Sequence, residues 1–471
     1  MNATQRRSHR AFPLIILTAM LLASRGFASG AEAPDVFDVR DFGGVGDGKT
    51  LNTAAFSRAV AAAEAAGGGT VRVGPGRYLT GTIMLKSNVT LDLDAAATLL
   101  ASESPDDFPL VDEVWTPGRQ VRGPLIYAVD AQRVAVTGRG VIDGQGRKWW
   151  EPILAAKAKR KAGAASSPAT EPVASATSPG DWQYGRPRLI RFVRCSDVVV
   201  EHVTLQNAPE WNIHPLLCER IRIDGVTIFA PVPSPNTDGI NVESCRNVQI
   251  SNCRVDNGDD SITLKSGLDE AGRRMGKPCE DITISNCVIY HGHGGVTIGS
   301  EMSGGVRNVT VSNCVFHGTD NGIRIKSQRG RGGVVEGVAV SNIVMQDVPH
   351  PFTITTFYAG KDKPGDVYPV DAGTPTFRDF LFSSITARGA KEAGSITGLR
   401  EKPIADITFS NVHVRAEKGF TCTNADGIRF LDTRIEASQG EALIVKDCAN
   451  LRTERLERIT TQPASKMNEG G

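Results

Sequence analysis

The sequence predicts an all-β fold. It reads as a single-stranded, right-handed parallel β-helix, a solenoid over residues 35–460 with an N-terminal capping helix. Three observations predict it. Segments such as "DGINVESCRNVQISNC", "GGVTIGSEMSGGVRNVTVSNC" and "NGIRIKSQRGRGGVVEGVAVSNI" each hold two short alternating strands around a turn. Their anchors, Ile240, Ile262, Val296 and Ile323, follow at steps of 22, 34 and 27 residues with no helix between them. "SNC" triplets also fall at the same point of successive repeats, which neither a sandwich nor a propeller requires.

In chain order, the opening "MNATQRRSHRAFPLIILTAMLLASRGFASGAEA" reads as a signal peptide over residues 1–30. Arg6, Arg7 and Arg10 form its basic region, Ala11 to Ala23 its apolar stretch, and "ASG" a cleavage site. The apolar run is too short for a comfortable span, so the protein is expected to be secreted or periplasmic, with no membrane partner after cleavage. Cleavage would remove four arginines and no acid, taking the formal net charge of +1 down by four to −3. That balance gives no reason to expect a nucleic-acid partner. "NTAAFSRAVAAAEAAGG" is an amphipathic helix ended by Gly67, placed to cap the open end of the solenoid. Residues 155–182 are Ala/Ser/Pro-rich and read as a flexible excursion from one turn, and residues 461–471 as a frayed tail.

The same register organises the nine cysteines. Cys195, Cys218, Cys245, Cys279 and Cys448 lie three residues before a strand anchor, Cys253, Cys287 and Cys314 end the "SNC" triplets, and Cys422 stands apart. Two ladders with a rise of roughly 4.8 Å follow, and the odd count favours buried free thiols over disulfides. None is spaced as a zinc ligand, and no metal or cofactor is expected.

Aligning the repeats also places chemistry. Ile240 and Val242 point inward, so Asn241 and Glu243 point outward. Two residues before each anchor stand Asp238, Asp260, Gly294 and Asn321, and three before stand Thr237, Asp259, His293 and Asp320. Asp238 should therefore stack on Asp260, and Asp259 on His293. Arg324 and Lys326 fall in outward columns two coils beyond Asp260, roughly 10 Å along the groove. Lys265 stacks beside Glu243 and reads as a surface ion pair. A single Asp here would suit a solvated turn or calcium. Three carboxylates and an imidazole on one face instead suit a site in which one carboxyl donates a proton while another accepts. Paired carboxylates are the equipment of glycoside hydrolysis, and the cations imply a substrate with its own carboxylate, a polyuronide.

"NTD" (236–238), "GDD" (258–260), "GHG" (292–294) and "RIK" (324–326) resemble, in order, the signatures of polygalacturonases, the family 28 glycoside hydrolases. The resemblance spans about residues 38–435 and includes "GVIDGQGRKWW", similar to bacterial, often exo-acting members. It implies that Asp259 is the general acid, that Asp238 and Asp260 hold and deprotonate the attacking water with inversion, and that His293 supports the acid. It further implies that Arg324 and Lys326 bind a galacturonate carboxylate and that Asn236 and Tyr358 line the groove. The expected partner is polygalacturonate or pectin, and the expected state a monomer. Stacking alone leaves the stereochemistry open, since Asp259 and Asp238 have Cα atoms roughly 6 Å apart, between the two mechanistic ranges. A rhamnogalacturonan hydrolase, a pectate lyase or a non-catalytic carbohydrate-binding β-helix would use the same scaffold. Turn insertions at 101–123 and 265–278 are placed to close one end of the groove, which favours exo action.

Overall fold

In the computed structural model, residues 36–164, 185–359 and 362–460 are described, without the side chains of 160–164. The signal-peptide segment, the tail after residue 460 and most of the 155–182 segment lie outside them. Residues 155–164 are a correction: they complete helix α2 (Arg147–Ala164) rather than forming a flexible excursion. "AAKAKRKAGA" is rich in Ala and Lys, strong helix formers.

Strands wind from Val36 to Thr460, and all but Leu110–Asp112 and Gln120–Arg122, which pair antiparallel with each other, pair in parallel with their counterparts in neighbouring coils. The predicted register holds: Ile240 pairs with Ile262, Ile262 with Val296, and Val296 with Ile323. On the second face Val248, Ile282, Val309 and Val338 align in the same way. The coils also carry a third strand, as at Arg254–Asp256 and Val288–Tyr290, too short for its alternation to stand out in the sequence.

The recurring "SN" now has a cause. Asn252, Asn286, Asn313 and Asn342 all adopt the left-handed conformation, φ between 55° and 57°, at the corner between second and third strands. Asn tolerates that region better than other side-chain-bearing residues. Its amide also bridges coils, as where Asn342 Nδ2 donates to Asn313 Oδ1 at 3.3 Å.

Helix α1 (Thr53–Ala65) lays Ala55, Phe56, Ala59, Val60 and Ala63 onto the first coils, with Phe56 edge-on to Tyr78. The chain leaves it as Gly68 N–H bonds back to Ala63 O and Gly67 turns at φ +88°. All nine cysteines are free thiols, eight of them buried. Cys195, Cys218, Cys245 and Cys279 form one ladder and Cys253, Cys287 and Cys314 the other, with Cys195 N–H and Cys218 N–H each donating to the next coil's sulfur at 3.3 Å and Cys287 N–H donating to Cys314 Sγ at 3.5 Å. Cys448, expected in the first ladder, lies outside it because Val306 and the coils beyond replace cysteine in that column.

Candidate active site

The outer face of the first sheet carries the site. Its strands Ile213–Leu216, Ile240–Glu243, Asp260–Lys265, Gly294–Gly299 and Asn321–Lys326 stack in that order. Asp238 and Asp259 sit in the turns that enter two of these strands, and Asp260 opens the second of the two. Two buried amides that the sequence reading missed lock those turns together. Asn257 Nδ2 donates to the carbonyls of Thr237, Asp259 and Asp260 at 3.0–3.1 Å, and Asn212 Nδ2 donates to Asp238 O at 2.9 Å.

The carboxylates of Asp238, Asp259 and Asp260 converge, each offering an oxygen within 4.8 Å of the others. Glycines make this possible. A Cβ at Gly294, the residue stacked on Asp260, would lie 3.0 Å from Asp260 Oδ1, and one at Gly292, where φ is +81°, would lie 2.4 Å from Asp259 O. The two glycines of "GHG" therefore leave the space that the acids occupy. His293 stacks on Asp259 as expected, its N–H donating to Asp259 O at 3.0 Å. Its half-exposed ring turns outward, where Nδ1–H donates to Asp320 Oδ2 at 2.8 Å.

The cations depart from expectation. Lys326 does not lie a sugar's length away; its ammonium folds back to Asp260 Oδ2 at 2.7 Å, buried, while Arg324 Nη1 stands 3.4 Å from Asp260 Oδ1. The strand register was right, but a lysine stem is long enough to span the two coils. Tyr358 lies beneath both cations, its ring centre 4.8 Å from Lys326 Nζ and 5.4 Å from Arg324 Cζ. Asn236, at φ 56°, accepts from Arg186 Nη2 at 3.0 Å.

These contacts split the protonation of the three acids. Burial, followed by the Asp259 charge, holds Asp238 well above the usual carboxylate range. Burial and the Asp260 charge also raise Asp259. Burial pushes Asp260 upward too, but Lys326 and Arg324 outweigh it and leave this carboxyl below its ordinary value. Asp260 is therefore the most acidic of the three, and Asp238 and Asp259 hold their protons to higher pH than it does.

Lys265 is a second correction. It is 6 % exposed rather than a surface residue, and it pairs with Glu301 Oε2 at 3.2 Å while lying 4.5 Å from the Trp211 ring centre. Glu243 stacks beside it as expected but accepts from His214 Nε2–H at 2.9 Å, and burial pushes it up to about 7. Outward side chains on these coils are buried because other elements lie over them. An antiparallel hairpin, Leu110–Asp112 with Gln120–Arg122, packs Val111, Val114 and Trp115 on Tyr127, Val193 and Leu216. Leu216 is directly in register with Glu243, so the hairpin covers the coil next to that of Asp238. Glu113 at its tip reaches Arg191 Nη2 at 3.0 Å. Trp115 packs on Gly267, in the second insertion, which contains the short helix α3 (Asp269–Met275), a helix between anchors Ile262 and Val296 where none was expected.

Comparison with known proteins places this geometry. The family model described as Glycosyl hydrolases family 28 matches residues 174–435. A "Probable polygalacturonase" of Vitis vinifera is 35% identical over 404 residues, 82% of this chain and 77% of the relative. An "Exo-poly-alpha-D-galacturonosidase" of Dickeya chrysanthemi is 29% identical over 413 residues, 80% of this chain and 67% of the relative. Endo-polygalacturonases also occur among the relatives. Among solved structures, the hyperthermoactive exopolygalacturonase of Thermotoga maritima superposes with a TM-score of 0.70 at 31% identity, covering 84% of this chain and 93% of that one. The chain is a glycoside hydrolase and belongs to family 28, the polygalacturonase family.

Proposed function

We propose that this hydrolase is a secreted, exo-acting, inverting enzyme that cleaves α-1,4-galacturonosyl linkages of polygalacturonate. One observation carries the chemical assignment: two adjacent acids, Asp259 and Asp260, are biased to opposite protonation states by burial on one side and Lys326 on the other. Asp259 holds the proton that the leaving glycosidic oxygen takes. Asp260, ionised, takes a proton from the attacking water, which Asp238 helps to hold. His293 sets the field around Asp259 from the neighbouring coil. Arg324 has the greater exposure of the two cations and supplies the principal contact to the substrate carboxylate, over the Tyr358 ring. Asn236 lines the opposite wall.

The hairpin at 110–122 supports exo action. It occupies the outer face of the sheet one coil before Asp238, about 4.8 Å away by stacking rise. A polysaccharide cannot run past it, so the groove accepts a chain end. Export follows from the signal-like segment at 1–30. Among the described residues no helix is long and apolar enough to cross a membrane.

Inversion rests on the family resemblance, since oxygens within 4.8 Å of one another lie nearer the retaining spacing of about 5–5.5 Å. Proton NMR of the first product formed tests it together with the linkage. The α-linked substrate should yield the β-anomer at a new reducing end. An initial α-anomer would replace Asp260 as base by a nucleophile, and an unsaturated product would remove hydrolysis altogether.

A further inference from the structure

Beside the aspartates, under strand Gln120–Arg122, lies a small cavity lined by Val121, Arg122, Pro124, Arg186, Arg188, Arg191 and Glu210. Its volume is about 10 Å³, enough for one water or one monatomic ion and nothing larger. Four guanidiniums and one carboxylate line it. Arg186 is 2 % exposed and Arg191 1 %, and the Nε–H of each is buried with no hydrogen-bond partner among the described residues.

The surrounding acids do not balance these cations. Glu113 serves Arg191 at 3.0 Å and Arg188 at 3.9 Å, and Glu210 serves Arg188 at 3.5 Å. Arg122 donates to Pro105 O at 2.7 Å. Among the described residues Arg186 forms no ion pair, Glu210, Asp238 and Asp259 acting on it only at longer range; it donates to Pro209 O, Pro235 O and Asn236 Oδ1 at 2.7–3.0 Å. Burial depresses both Arg186 and Arg191 below the ordinary arginine value, as expected of cations without full compensation. A water filling the space could accept from these N–H groups, but it would bring no negative charge to offset the guanidiniums.

We propose that the cavity binds a single halide ion, chloride under ordinary conditions, held by Arg186 and Arg191. Its consequence reaches the active site. Arg186 ties together the turns at Pro209 and Pro235–Asn236, and the second leads directly to Asp238. An anion behind Arg186 fixes that guanidinium and hence the approach of the Asp238 turn. The inference does not depend on which polysaccharide is cleaved or from where.

The test uses the full chain. Crystals soaked in bromide should give an anomalous peak between Arg186 and Arg191. Tm measured at constant ionic strength should rise saturably as gluconate, too large to enter, is replaced by chloride. Val121→Leu, which fills the space without removing a charge, should abolish that rise and leave Tm in gluconate near wild type. Arg191→Met should lose the bromide peak. An empty or water-filled cavity in the bromide data, with equal Tm in chloride and gluconate, would overturn the proposal. A chloride response left intact in Val121→Leu would likewise exclude this cavity as the site.

Discussion

Replacing Lys326 by Met removes a buried ammonium 2.7 Å from Asp260 Oδ2 while keeping most of its apolar bulk. Two unit charges about 4 Å apart interact by about 4 kcal/mol at an effective dielectric of 20, equivalent to about three pKa units. Arg324 remains 3.4 Å from the other oxygen and retains part of that effect. Asp260 should therefore rise toward the ordinary carboxylate range, as a carboxyl does on losing its nearest opposite charge. The sign is fixed by the chemistry. The base works only when ionised, so the acidic limb of kcat/KM moves to higher pH. Below that limb the variant should be about 10–100-fold slower than wild type, and raising the pH should recover much of the loss until Asp259 deprotonates. Lys326→Arg should shift the limb less. The assay is reducing-end release from polygalacturonate across pH, with kcat and KM separated. An unmoved acidic limb with a raised KM alone would mean that Lys326 does not set the Asp260 ionisation and is a substrate contact instead.

Asp259→Asn should lower turnover by about 10²–10⁴-fold with little change in KM, because an amide cannot supply the leaving-group proton; near-normal turnover would exclude Asp259 as the acid. Arg324→Ala should chiefly raise KM for polygalacturonate and weaken discrimination against methyl-esterified pectin, since a carboxylate contact made in ground and transition states is lost. Asp260 also links folding to pH. Its lowered value means that its contribution is present above the unfolded carboxylate range and lost as pH falls through the folded value. Asp238 and Asp259, both raised, act oppositely, favouring the fold at low pH and losing that contribution as pH rises. Asp238→Asn should therefore gain stability at neutral pH relative to acid pH in thermal melts, and an equal effect at both would contradict its assignment.

Much of this could be read in the chain because a β-helix repeats its environment. Ile240, Ile262, Val296 and Ile323 meet the same inner space, so their spacing gives the register, and the register alone brings Asp238, Asp259, Asp260 and His293 together. What escaped was set by side-chain reach or by contacts outside the repeat. Lys326 was in the right column, yet its stem returns two coils to Asp260. Lys265 looked like a surface residue because nothing local announces that Trp211 and Glu301 enclose it. Arg186 follows the low-complexity stretch and gave no signal, although it is 2 % exposed and holds Asn236. Asn257 was visible in "DNGDD", but only the folded turn shows its amide tying three carbonyls. The hairpin strands span three residues each, too short for a periodicity to emerge.

The size distribution of early products from polygalacturonate reports directly on an acid/base site in a groove closed one coil away by the 110–122 hairpin. A groove closed in this way should release one short oligomer or monomer from the first turnovers, with viscosity falling slowly. Shortening the hairpin between Leu110 and Arg122 should then broaden the products toward mixed lengths. A ladder of intermediate lengths from the wild-type enzyme, with rapid loss of viscosity, would contradict that closure.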